Sequence, residues 1–211
     1  MASGKILFFA ANPIRSALLE LDQEARGIEK KLRAGDHRDF FSLQTQWAAT
    51  ADDLLQALNQ HLPGVVHFSG HGSADPPGIV LHGAKGGHHL VTAGALRRLF
   101  AEVGDNVKVV LLNACYSETQ AFAVAEVVDC VIGMTGAVGD ESARTFAASF
   151  YRALAFGRSV QNAFRQGLVA ISLEDLGDEH LPILLVKEGV NADEIFLAPR
   201  ASEVERLTPR S

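Results

Sequence analysis

The sequence predicts an α/β domain: a mostly parallel sheet of about six strands with helices packed on both faces. Three observations predict it. Short apolar, β-branched runs alternate with helical patterns along the chain, and that order belongs to parallel sheets whose crossovers are helices. The strand candidates read as near-continuous apolar runs, as strands covered on both faces do. The 211 residues, 47% apolar and 21% charged, are enough for one full core of ordinary globular composition.

Lys5–Ala10 is the first strand, and its apolar run is too short for a secretory leader. A helix follows from Leu18 to Leu32, with Leu18, Leu21, Ala25, Ile28 and Leu32 at helical spacing. Its acidic start (Glu20, Asp22, Glu24) and basic end (Lys30, Lys31, Arg33) complement the helix dipole. Gly35 is expected to end it with a positive φ. Phe40–Gln46 alternates and suits a second strand, and Thr50 caps a helix to about Gln60 with Asp52 and Asp53 in its first turn. Val65–Ser69 is the third strand. The Gly-, Pro- and His-rich stretch from Gly72 to Val91 holds one small hairpin arm at Ile79-Val80-Leu81.

Thr92 caps the next helix, to Glu102, and Val107–Leu112 is the most aliphatic run, placed centrally in the sheet. Glu118–Val128 reads as helix and Cys130–Met134 as strand. Asp140 opens a long helix to about Ala155, Ser159 opens another, and Ile183–Lys187 is the last strand. From Ala198 onward the chain is polar with a tail or linker character, so residues 1–198 are expected to form one domain and 199–211 a C-terminal tail.

Composition narrows the function. A net charge of −6 with no basic, aromatic-interleaved run argues against nucleic-acid binding. No stretch is long and apolar enough to predict a membrane span. Two cysteines, Cys115 and Cys130, cannot build a disulfide framework, so a reducing, cytoplasmic setting is expected.

In open α/β sheets, sites gather beyond the carboxyl ends of strands. The third strand breaks at Gly70-His71-Gly72 and the central strand at Ala114-Cys115-Tyr116-Ser117. If the two strands are neighbours, their ends lie about 5 Å apart, and His71 and Cys115 face one another across that edge. An imidazole beside a thiol can take its proton and yield a nucleophilic thiolate. The glycines let the backbone turn sharply and approach a substrate. The N–H groups of Gly72 and Cys115 are then candidates for an oxyanion hole, worth about 3 kcal/mol per donor. Asn113 and Ser117 are candidates for positioning the Cys turn or contacting substrate, or for satisfying local backbone groups. Cys130 reads as core, and His67 as packing or hydrogen bonding. His67 and His71 stand four apart, but a strand running into a Gly turn does not offer the helical geometry that would bring both to one zinc.

HFSGHG after one strand and LLNACYS after the next resemble the CHAT-type peptidases of the caspase and separase clan. ILFFAANP with LELDQEARGIEKKL, and GMTGAVGDESARTFAASFYRALAFGRSVQNAF, extend the resemblance over most of the chain. The caspase pattern Q-A-C-R-G is not met, because Asn113 and Tyr116 flank the Ala-Cys pair, which counts against caspase-like Asp specificity. The resemblance implies a caspase-like three-layer sandwich and a thiol endopeptidase with no metal or organic cofactor. It further implies a protein substrate, a sensor or regulatory partner, and a bacterial defence or regulated-proteolysis pathway. It also implies a specificity pocket near the strand ending at Met134, in which Asp140 would receive a basic residue; Asp140 equally suits a helix N-cap. The competing readings are a catalytically silent adaptor with this fold and a metal-dependent or nucleotide-binding α/β protein. The AANP after strand one lacks the glycine pattern of the last.

Overall fold

The structure is a computed structural model that describes residues 4–13 and 19–199. Along the chain the elements are β1 (Lys5–Ala11), α1 (Leu21–Arg33), β2 (Ser42–Trp47), α2 (Ala51–His61), β3 (Val65–Gly70), β4 (Gly72–Ala74), β5 (Pro77–His82) and β6 (His88–Val91). Then come α3 (Ala93–Val103), β7 (Val109–Asn113), α4 (Glu118–Ala125), β8 (Cys130–Met134), α5 (Asp140–Ala155), α6 (Val160–Leu173) and β9 (Pro182–Val186).

The main sheet runs β2-β1-β3-β7-β8-β9. Every pairing in it is parallel except β8 with β9, so an antiparallel edge strand closes an otherwise parallel sheet. The period of two splits the central strands between two cores. Ile6, Phe8, Val65, Val109 and Leu111 pack against α1, α5 and α6. Leu7, Phe9, Val66, Phe68, Val110 and Leu112 pack against α2, α3 and α4. Three layers result. Ile6, Leu7 and Phe8 are fully buried, each worth about 1.5–3 kcal/mol in side-chain burial.

Local rules explain the helix starts. Thr50 Oγ1 accepts from Asp53 N while the Asp53 carboxylate takes the Thr50 N–H, a capping box. Thr92 and Ser159 cap α3 and α6 with their hydroxyls.

Four expectations need correcting. The first helix starts at Leu21 rather than Leu18, and Leu18 lies outside the described residues. Gly35 has no positive φ; a Cβ there would lie 2.4 Å from that of Ala155, so close packing on α5 excludes a side chain. The helix after Cys115 stops at Ala125, short of Val128. The stretch from Gly72 to Val91 holds a separate antiparallel sheet, β4-β5-β6. Its strands are short and rich in Gly, Pro and His, which left no alternation to read. No helix among the described residues is long and apolar enough to cross a membrane.

Candidate active site

β3 and β7 are parallel neighbours with Ser69 paired to Asn113. Two residues further along each strand stand His71 and Cys115, at the same level on the carboxyl edge. Adjacent strands lie about 4.8 Å apart. Both side chains are half-buried and line one small cavity, together with Gly70, Asn113, Val138 and Asp140.

The glycines beside His71 serve close approach, not a left-handed turn. Neither Gly70 nor Gly72 has a positive φ. A Cβ on Gly70 would lie 2.4 Å from the Ala11 carbonyl oxygen, and one on Gly72 only 1.8 Å from that of Cys115. The Val80 N–H donates to the His71 carbonyl at 2.9 Å, which makes Gly72–Ile79 a non-hydrogen-bonded pair of the β4–β5 ladder. The Gly72 N–H therefore points away from β5, along the open edge of that sheet. Among the described residues the Cys115 N–H has no acceptor. Among the described residues, two unspent donors thus sit at one main-chain contact.

The Cys115 Sγ lies 3.6 Å from the Val138 carbonyl, to which its S–H donates. Tyr116 has φ 55°, a left-handed conformation that costs a bulky residue energy and recurs beside functional groups. Its N–H donates to the Gly136 carbonyl at 3.0 Å. Ser117 was expected to contact substrate or local backbone. It is buried, with its hydroxyl donating to the Leu112 carbonyl and accepting from the Met134 N–H, both at 2.9 Å. It ties β7 to β8 beneath the Cys turn and lies outside the cavity wall. Cys130 differs from Cys115: burial, and secondly Asp129, push its thiol pKa up to about 12.

Asp140 is the first residue of α5; the cap position belongs to Gly139, which corrects the N-cap reading. Its side chain faces the cavity and lies 3.3 Å from the Arg144 guanidinium. Burial, and secondly the charge of Glu24, raise its pKa above the ordinary Asp value. Asn113 is buried, and its Nδ2 donates to Glu24 Oε1 at 2.5 Å and to the Ala143 carbonyl at 3.3 Å.

Glu24 is the residue sequence reasoning missed as part of the site. It reaches from α1 into the cavity floor, only 4% exposed. Ser69 Oγ donates to its other oxygen, and His67 Nε2 lies 3.1 Å from Oε1, off the line of a well-formed hydrogen bond. His67 sits fully buried between Phe8 and Tyr151, its Nδ1 3.2 Å from the Tyr151 hydroxyl. Burial, then Glu24, raise the Tyr151 pKa well above its usual value. The signal for Glu24 was present: it falls with Leu21, Ala25, Ile28 and Leu32 on the buried stripe of α1. Among the described residues no group of three His, Cys, Asp or Glu side chains is placed to hold a metal ion.

The family model for the CHAT domain matches residues 9–184. A Roc-COR-CHAT protease from an unknown prokaryotic organism is 24% identical over 174 residues, 79% of this chain. A probable protease from Gillisia limnaea is 23% identical over 156 residues, 73% of this chain. The chain spans 16% and 27% of the lengths of these two relatives. A secreted C11 cysteine protease from Bacteroides thetaiotaomicron, solved with an irreversible peptide inhibitor, superposes with TM-score 0.62 at 13% identity; the match covers 82% of this chain and 60% of that one. The Arg specific cysteine proteinase gingipain R gives 0.59 at 14%, covering 83% and 43%. Caspase-1 from Spodoptera frugiperda gives 0.56 at 11%, covering 94% and 90%. The three-layer arrangement is thus a caspase-like fold.

Proposed function

The chain belongs to the CHAT domain family, and from that premise we propose that it is a cysteine endopeptidase with Cys115 as nucleophile and His71 as proton carrier. The observation that carries the reading is the common level of the two side chains on adjacent strand ends, inside one cavity. His71 takes the thiol proton, and the Sγ thiolate attacks the scissile carbonyl carbon. The resulting oxyanion is held by the N–H groups of Gly72 and Cys115. His71 then returns the proton to the leaving amine, and water hydrolyses the thioester. No step calls for a metal or organic cofactor.

Asp140 is the group we assign to substrate selection. A carboxylate on the cavity wall, with Glu24 beneath it, favours a cationic side chain before the scissile bond, Arg or Lys. The Arg specificity named for gingipain R agrees with that choice. Asn113 lines the cavity and holds its floor through Glu24, and Ser117 holds the Cys turn from behind the wall. The substrate is a partner protein in the cytoplasm, cut in a bacterial defence or regulated-proteolysis pathway under a sensor or regulatory partner.

Profiling with quenched fluorogenic peptides tests this. Arg- or Lys-containing peptides are expected to be cut by the wild type and untouched by Cys115→Ala with an unchanged circular dichroism spectrum. Cleavage that survives Cys115→Ala would refute the mechanism, and loss of cleavage on chelation would point to a metal hydrolase.

A further inference from the structure

We infer that Asn12 is the positioning residue that orients His71 and fixes which ring nitrogen serves the thiol, with His82 holding Asn12 in place. The inference rests on the cysteine peptidase reading above. Register carries it first. Ala11 pairs with Gly70 across β1 and β3, and Ser69 pairs with Asn113 across β3 and β7. One step past the first pair and two past the second, Asn12, His71 and Cys115 stand at one level on three adjacent strand ends.

Contacts carry it second. His71 Nε2 lies 3.0 Å from Asn12 Oδ1. The amide cannot be turned the other way round, because Asn12 Nδ2 donates to the Leu19 carbonyl at 3.4 Å, which only accepts. Oδ1 therefore faces the imidazole, and Nε2 carries a hydrogen in both the neutral and the charged ring. In the neutral ring the lone pair is left on Nδ1, the nitrogen that takes the Cys115 proton. A fixed acceptor behind a functional imidazole sets its tautomer and raises its basicity, as second-layer partners of histidine do elsewhere.

His82 completes the arrangement from β5. Its ring Nε2 accepts the Asn12 main-chain N–H at 3.3 Å, while the main-chain N–H of His82 donates to the Ala49 carbonyl at 3.0 Å. The small sheet thereby reaches the residue that orients His71. The titratable groups nearby are Cys115, Glu24 and Asp140 around the His71 cavity and Asp22 beside His82.

The test is NMR of the full chain labelled with ¹⁵N-histidine, with the His71 signals assigned by their loss in His71→Ala. The expected neutral wild-type ring is the Nε2–H tautomer. Asn12→Ala should give a tautomer mixture and lower the His71 pKa. Asn12→Asp should keep Nε2–H and raise it by about one unit, as a carboxylate beside an imidazolium does. On a cleavable peptide, Asn12→Ala should lower kcat roughly 10- to 100-fold with KM changed less than about threefold. A wild-type Nδ1–H tautomer, or a His71 pKa unmoved by Asn12→Asp, overturns the inference; the Asp variant decides if the Ala variant does not fold. The parent reading has its own control, iodoacetamide alkylation of Cys115 across pH. If His71→Ala leaves that profile unchanged, the dyad itself fails; if the profile moves but the Asn12 variants leave His71 alone, only this inference fails.

Discussion

Gly72 is the position where one added methyl should separate folding from catalysis. Its Cβ would sit 1.8 Å from the Cys115 carbonyl oxygen, 2.9 Å from the carbonyl carbon and 3.2 Å from the nitrogen. All three atoms are backbone, so no side chain can swing aside. Restoring ordinary contact needs roughly 1.6 Å of separation between β4 and the Cys turn, and overpacking of this kind costs about 1–3 kcal/mol. Displacements near 1 Å at a reacting centre can cost about 100-fold in rate, which is about 2.7 kcal/mol of transition-state stabilisation. Gly72→Ala is therefore expected to lose at least about 100-fold in kcat/KM on a fluorogenic peptide while keeping its circular dichroism spectrum. Gly27→Ala is the matched control. It lies inside α1 with nothing within 4 Å of the added Cβ, so it should stabilise by about 0.5–1 kcal/mol with activity unchanged. A Gly72→Ala protein with wild-type kcat/KM would refute the close packing of β4 on the nucleophile turn.

Other outcomes follow from the same geometry. Because the Asp140 pKa is raised in the fold, the folded protein holds a proton that the unfolded chain has released. Stability should thus fall as pH rises from the ordinary Asp value through the raised one, and urea melts of Asp140→Asn should lack that slope; preference for Arg-containing peptides should grow over the same rise. Glu24→Ala leaves Ser69 and Asn113 donors buried without their acceptor and should destabilise by about 2–4 kcal/mol in urea melts, with Glu24→Gln less harmful. Ser117→Ala strips a buried bridge between the Leu112 carbonyl and the Met134 N–H; a loss of about 1–3 kcal/mol is expected, with KM nearly unchanged. Iodoacetamide at neutral pH should label Cys115 and spare Cys130, whose thiol is buried with a pKa near 12; mass spectrometry of tryptic peptides reads the result.

What was legible in the sequence followed from local physics. The apolar runs of β1, β3, β7 and β8 declare buried parallel strands, and Thr50, Thr92 and Ser159 declare helix starts. The antiparallel direction of β9 was not legible, since a five-residue apolar strand reads the same both ways. Nor was the sheet of β4, β5 and β6, whose pairing is fixed by tertiary contacts such as the His82 N–H on the Ala49 carbonyl. The glycines at 70 and 72 were found for one reason and are needed for another. A turn and a close approach both call for glycine, and only the folded backbone distinguishes them.

The same distinction explains why the site was half visible. A parallel sheet brings every strand's carboxyl end to one edge, so residues far apart in the chain meet whenever they stand one step past equivalent positions. His71 and Cys115 announce themselves there because few residues carry their chemistry. Asn12 stands at the same level, yet in Asn-Pro it reads as a turn residue. Glu24 reads as helix-dipole complement although its phase on α1 places it inward. A buried carboxylate is costly unless donors surround it, and those donors, Ser69 and Asn113, come from β3 and β7 themselves. The carboxylate on α1 therefore ties that helix to the two strands that carry His71 and Cys115. Strand ends held this way have little freedom to move apart, so the network under the cavity and the level of the two side chains above it are one structural device.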